Sequence, residues 1–171
     1  MLEAASQRAR QLGIRTVLVA TCSGKTAMEA IDRLGPDIQT IAITHYTGFV
    51  HPDHQEMKDE TRRTLESKGG RVLTCQHAFG GVGRGIRKKL NTYQVSEIMA
   101  YTLRMFGQGT KVAIELALMA ADAGLVRTDK DVISIAGSSA GADTALLLKP
   151  SNSADIFNLK VREILCKPAT F

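Results

Sequence analysis

The residues with the most chemistry to offer stand together in Thr21-Cys22-Ser23-Gly24-Lys25-Thr26-Ala27. Thr21, Ser23 and Thr26 supply hydroxyls, Lys25 supplies a full positive charge, and Gly24 permits close approach to the main chain. The stretch follows a short β-branched run at 16–20. It precedes apolar residues at helical spacing, Ala27, Ala30, Ile31 and Leu34. Strand, turn and helix N-terminus in that order expose unpaired backbone N–H groups at the positive end of a helix dipole. Such a turn favours a phosphate; the plainer alternative is a β–α connection with a Ser or Thr cap.

Stronger chemistry is not supported. Gly24-Lys25-Thr26 matches only the second half of a P-loop, and the position of its first glycine holds Val19. Nucleoside triphosphate hydrolysis is therefore not expected. Cys22 sits where a helix N-terminus favours a thiolate, but Met28 occupies the place of the Arg that a cysteine-phosphatase loop requires. His45, His51, His54 and His77 match no metal-ligand spacing, so no metal is assigned. Ser138 or Ser139 can be combined with His77 and Asp143 into a triad, but neither serine stands on a strand-to-helix elbow. Their hydroxyls read as ligand donors, and no catalytic residue is assigned.

The elements that must position these groups alternate between strand and helix. A helix at 2–12 stops at Gly13; strand 16–20 leads through the turn into helix 25–34, which Gly35-Pro36 ends. Strand 39–44 is apolar, as a strand buried on both faces should be. A loop at 44–54 follows its carboxyl end, where ligands dock in open α/β sheets. A helix is expected at 54–68 and a strand at 71–75. The glycine-rich 77–85 does not fit the dinucleotide fingerprint and reads as a flexible crossover. The alternative is a lid whose Arg84, Arg87 or Lys88 reaches a ligand phosphate.

Helix 94–105 is expected to face inward through Val95, Ile98, Met99, Thr102 and Leu103, and helix 110–123 to be buried nearly all round. Strand 132–136, the turn Gly137-Ser138-Ser139-Ala140-Gly141 and strand 143–149 are too close in sequence to pair other than antiparallel. Residues 160–166 read as a last edge strand.

Bulk properties narrow the class. A chain of 171 residues, 44% hydrophobic and 23% charged, is expected to be one soluble domain. No Trp is present and aromatics are 5%, so the core must be aliphatic. A net charge of +5 suits an anionic ligand. Nucleic acid is disfavoured, because no aromatic-basic interleaving accompanies the charge. No apolar run reaches membrane-spanning length. Three scattered cysteines without CxxC suggest a reducing compartment, the cytoplasm, rather than a disulfide framework.

The run Thr21 to Ala27 and the later 136–145 resemble the turn and final hairpin of the C-terminal domain of pyruvate kinase. Small stand-alone proteins described as pyruvate kinase C-terminal domain-like are similar over nearly the whole chain. The matching words are 44–49 (THYTGF), 120–124 (AADAG), 141–145 (GADTA) and 161–168 (VREILCKP). The resemblance implies a three-layer α/β/α sandwich with a mostly parallel sheet of order 3-2-1-4-5, its last strand antiparallel. It implies a phosphorylated small molecule as partner and flavin mononucleotide (FMN) as cofactor. A sugar-phosphate sensor and an unidentified flavin-dependent enzyme are the alternatives. It also implies a strand and turn ahead of the first helix, so this sequence is expected to begin late. Homo-oligomerisation stays open.

In that strand order the chain reverses between strands one and four, which selects the cleft there for the ligand. Phosphate contacts are expected from Thr21, Ser23, Gly24, Lys25 and Thr26. The remainder of the ligand is expected to meet Thr44, Thr47, Gly48 and Phe49 on one side and Gly137, Ser138, Ser139 and Asp143 on the other. Tyr46 shares with Phe49 the role of facing a ring. Asp143 either accepts from a ligand hydroxyl or caps the turn at Gly141.

Overall fold

A computed structural model describes residues 1–138 and 141–170. Ser139 therefore lies outside the described residues. Six strands form one sheet in the order β3-β2-β1-β4-β5-β6. The strands are β1 (Thr16–Ala20), β2 (Gln39–Ile43), β3 (Arg71–Leu73), β4 (Val132–Ala136), β5 (Thr144–Lys149) and β6 (Lys160–Cys166). β1 pairs parallel with both β2 and β4, β2 pairs parallel with β3, and β5 is antiparallel to both neighbours. The expected order and the reversal between β1 and β4 are thus observed, with β6 adding the outer edge.

Period-two alternation splits the core into two layers. Val17, Val19, Ala42, Ile133, Ile135, Ala145 and Leu147 face α1 (Leu2–Leu12), α2 (Lys25–Leu34) and α3 (Asp59–Ser67). Leu18, Ile41, Ile43, Val132, Leu146 and Leu148 face the opposite layer, dominated by α6 (Gln108–Asp122). Ala5, Ala9, Ala27 and Ala30 are fully buried, and these small side chains let α1 and α2 lie close on the sheet. α6 carries buried residues on every side, as its apolar run requires. Among the described residues, no helix is long and apolar enough to cross a membrane.

Three expectations are corrected. The helix expected at 54–68 begins only at Asp59, because the residues before it bond back to the end of β2. Gln55 Nε2 donates to the His45 carbonyl at 3.0 Å, and Glu56 meets the His45 ring. The stretch 77–85 is not a flexible crossover throughout; it leads into α4 (Gly81–Leu90). That helix buries no residue, but Arg87, Lys88 and Lys89 complement the dipole at its C-terminal end. α5 (Val95–Arg104) is rotated from the stripe expected for it: Val95 and Ile98 are exposed, while Glu97 and Ala100 are buried. Glu97 is held inward because its carboxylate accepts from Arg87 Nε at 2.7 Å and closes the capping box with Gln94.

Candidate functional site

The C-terminal ends of β1, β2 and β4 open into a cleft of about 920 Å³, within the size range of small-molecule sites. Its near side is made of backbone. Thr21 Oγ1 accepts the Gly24 N–H at 3.0 Å, which closes the turn and sets Gly24 at a φ of 96° as the N-cap of α2. Thr21 therefore shapes the turn with a buried hydroxyl, and the Gly24 N–H is engaged within it. The early N–H groups of α2 remain, because a helix has no internal partner for its first turn. Lys25 is exposed beside them, with no carboxylate within ion-pair reach among the described residues.

Gly24 also has a packing role. A Cβ there would lie 2.4 Å from Thr61 Cγ2 and 3.6 Å from Met57 Cε. The missing side chain makes room for α3 and its approach segment.

The β4–β5 hairpin completes the near side. Gly137 tolerates no side chain, since a Cβ would meet the Gly141 carbonyl oxygen at 2.4 Å. Asp143 ties the hairpin turn together through Ser138 and Thr144. Its Oδ2 accepts from the Ser138 N–H at 3.2 Å and the Ser138 hydroxyl at 2.8 Å, and its Oδ1 from Thr144 Oγ1 at 2.6 Å.

Of the residues expected to bind, Thr21, Ser23, Lys25, Thr26, Thr44, Phe49, Gly137 and Ser138 line the one cleft. Gly24, Thr47, Gly48 and Asp143 do not line it. Thr47 is exposed, and the Gly48 N–H is taken by the His54 carbonyl at 2.9 Å. Thr44 is at the wall but buried, and its hydroxyl donates to the His45 carbonyl at 2.8 Å beside Thr74 Oγ1 at 2.7 Å. That hydroxyl fastens the ends of β2 and β3 together.

The far side is built from side chains that the sequence left unassigned or gave only as an alternative. Arg84 and Arg87 of α4 line the cleft, whereas Lys88 does not. The Arg84 guanidinium lies 4.5 Å from the centre of the Phe49 ring, which stacks on His45 at 3.9 Å. Arg104, at the end of α5, and Lys111 and Glu115 of α6 add further charge. The Lys111–Glu115 pair is almost fully buried, and Glu115 Oε1 also accepts the Phe79 N–H at 2.8 Å. Its i,i+4 spacing was the available sequence signal. The lining holds five cationic side chains (Lys25, Arg84, Arg87, Arg104, Lys111) and three anionic ones (Glu29, Glu97, Glu115), so it favours an anion.

Titratable groups in the cleft are shifted in specific directions. Burial is the main reason the His77 pKa falls to about 4, so His77 is neutral at neutral pH. Glu115 opposes that fall; His45, Lys111 and Arg84 assist it. Burial, then the Glu56 carboxylate, hold the Cys22 thiol above its ordinary value. The Arg87 hydrogen bond is the main cause holding the Glu97 carboxyl below its ordinary value.

Solved structures that match this chain include pyruvate kinases from Cryptosporidium parvum. One matches with a TM-score of 0.42 at 14% identity, over 88% of this chain and 23% of that one. The same organism's enzyme in complex with ADP matches with a TM-score of 0.41 at 18% identity, over 85% and 22%. A third structure of a C. parvum pyruvate kinase gives 0.44 at 15% identity, over 88% and 23%. This chain thus spans less than a quarter of those enzymes. Residues 1–148 match the family described as pyruvate kinase, alpha/beta domain, and the chain belongs to that family.

Proposed function

We propose that the cleft binds a phosphorylated, nucleotide-like small molecule, with FMN as the candidate ligand. The observation that carries this reading is the meeting, in one cleft, of the α2 N-terminus and the Lys25 cation, which has no ion-pair partner among the described residues. A second wall of Arg84, Arg87 and Arg104 suits an extended anion better than a lone phosphate ion. The donor set fits FMN. Ser23, Lys25 and Thr26 would hold the phosphate, and the stack of Arg84, Phe49 and His45 would form the wall beside the ring. A bound flavin supplies hydride or single-electron exchange; the protein's part is to bind and orient it and to limit its exposure to water.

The deciding experiment compares FMN, riboflavin and a sugar phosphate by titration of the purified chain. FMN is expected to bind at least about tenfold more tightly than riboflavin, with charge-assisted contacts to the phosphate as the cause. Equal affinity for FMN and riboflavin would remove the phosphate turn from the site. Tighter binding of the sugar phosphate would select the sensor reading instead. Neither pyruvate kinase activity nor ATP hydrolysis is expected, and ATP turnover abolished by Lys25→Ala would contradict the proposal.

A further inference from the structure

At the corner of the cleft, three side chains from separate segments converge. Cys22 Sγ, His45 Nδ1 and Glu56 Oε2 all lie within 4.8 Å of one another. Cys22 is carried by the β1–α2 turn, His45 follows the end of β2, and Glu56 precedes α3. The His45 nitrogen is 2.6 Å from the carboxylate and 3.5 Å from the sulfur.

Two kinds of chemistry use these residue types, and the geometry separates them. A cysteine nucleophile with a histidine base needs the sulfur on the axis of one ring nitrogen, with the carboxylate on the other. Here the sulfur is almost equidistant from Nδ1 and Nε2, at 3.5 and 3.7 Å, so it lies on the axis of neither. It shares Nδ1 with the carboxylate. A metal ion instead takes sulfur, one imidazole nitrogen and a carboxylate oxygen together. These three lie within 4.8 Å of one another, so an ion reaches all of them once the His45 ring turns its Nδ1 axis between Cys22 and Glu56. Nitrogen and sulfur ligands of one tetrahedral zinc ion stand roughly 3.5 Å apart, given bonds of about 2.0–2.1 and 2.3 Å. The Sγ–Nδ1 distance of 3.5 Å agrees with that separation. The 2.6 Å contact to Glu56 is a proton-bridged distance. The carboxylate would withdraw by less than about 1 Å to become a third ligand.

Supporting residues hold His45 and the segment that carries Glu56. The His45 ring stacks on Phe49 at 3.9 Å, and the His45 carbonyl accepts from Gln55 Nε2 at 3.0 Å. Gln55 Oε1 accepts the N–H of buried Met57 at 3.1 Å, so the segment carrying Glu56 is held on both sides of it. Cys22 and His45 line the cleft and Glu56 does not, which turns the side opposite Glu56 toward the cavity.

We propose that Cys22, His45 and Glu56 form a three-ligand site for a divalent transition ion, zinc by preference, with its fourth position open to the cleft. Sulfur, imidazole and carboxylate together select a borderline-soft ion over magnesium or calcium. Coordination forms bonds from the ion to Sγ, Nδ1 and Oε2, releases the thiol proton to solvent, and displaces the proton bridging Nδ1 and Glu56, which exchanges through water to Nε2. The site uses no ligand phosphate and stands apart from the FMN proposal.

The test is cobalt(II) titration of the chelator-treated full chain. A thiolate-to-cobalt charge-transfer band in the near ultraviolet is expected to saturate at one equivalent and to vanish when zinc is added. Cys22→Ser should abolish the band, and Cys75→Ser should leave it. Glu56→Gln should weaken binding at least about tenfold, by comparison with losses of roughly 10–100-fold for partners outside the ligand set. Circular dichroism establishes that each variant is folded. A folded wild type that gives no thiolate band at saturating cobalt overturns the proposal. So does a band that survives Cys22→Ser. Cys22 alkylation by iodoacetamide at one rate with and without zinc would identify a metal-free thiol instead.

Discussion

The two sides of the cleft are built on different principles. On the near side, main chain does the positioning: Gly24 and Gly137 have no room for a side chain, and Thr21 and Asp143 are spent on fastening the turns. On the far side, α4 buries nothing and its link to α5 is the Arg87–Glu97 pair, with Tyr93 against Tyr101. Most of the large exposed apolar side chains fall in this same region, among them Val82, Leu90, Val95 and Met105. The near side is thus fixed before any ligand arrives, and on the proposed function it would suit any phosphate monoester. Selection among such ligands would then fall to the less firmly held far side, where long side chains reach inward.

The strongest blow to that division is Gly137→Val. The new side chain meets the Gly141 carbonyl oxygen, and a loss of about 4 kcal/mol of stability is expected in urea unfolding. A loss near zero would mean that the hairpin is as yielding as α4.

The pH response of His77 comes next. Its folded-state pKa of about 4 lies below the ordinary histidine value of 6.5, so folding favours the neutral ring. The stability tied to this preference is full above pH 6.5 and is lost as pH falls toward 4. The expected size is roughly 2–3 kcal/mol after discounting for partial exposure. Urea midpoints of the wild type should fall across that window more steeply than those of His77→Gln; parallel curves would exclude the effect.

Ligand binding sharpens the comparison further. Lys25→Ala should weaken inorganic phosphate and FMN alike, by roughly 1–3 kcal/mol, without changing stability. Arg84→Ala should weaken FMN alone, by about 1 kcal/mol, because the guanidinium no longer holds the Phe49 ring in the wall beside the flavin. Calorimetry with both ligands checks the pair. An Arg84→Ala loss shared by inorganic phosphate would place selectivity on the near side after all.

The smallest effect is a gain. Gly85 lies inside α4 with open space where its Cβ would stand, so Gly85→Ala should stabilise by about 0.5–1 kcal/mol. Hydrogen exchange of the α4 amides should slow with it. Unchanged exchange would show that α4 is already held as firmly as α2.

Legibility in the sequence follows the same division. The β1–turn–α2 unit was readable because local pattern and tertiary role agree there, and the strand order followed once the resemblance had been recognised. α4 was obscured because Gly81, Gly83 and Gly85 argue against a helix locally. The α5 face was misread because Glu97, a charged residue, turns inward to meet Arg87 while Val95 and Ile98 turn out. Thr44 carries a hydroxyl in the right place, but a hydroxyl's direction is decided by neighbours such as Thr74, which lies well outside the local window. Cys22, His45 and Glu56 come from three segments, and only the parallel pairing of β1 with β2 brings the first two to one corner.

That central position of β1 also dictates an order of assembly. Its first neighbour begins at Gln39, close along the chain, whereas its second partner, Ile133, arrives only after α3 to α6. Loop closure makes the near pairing fast and the distant one slow. The β1–β2 half can therefore form early with the α2 turn already in place, but the cleft does not exist until β4 docks. A ligand that spans the turn and the β4–β5 hairpin binds only after that late step, and so draws the chain toward completed folding by mass action.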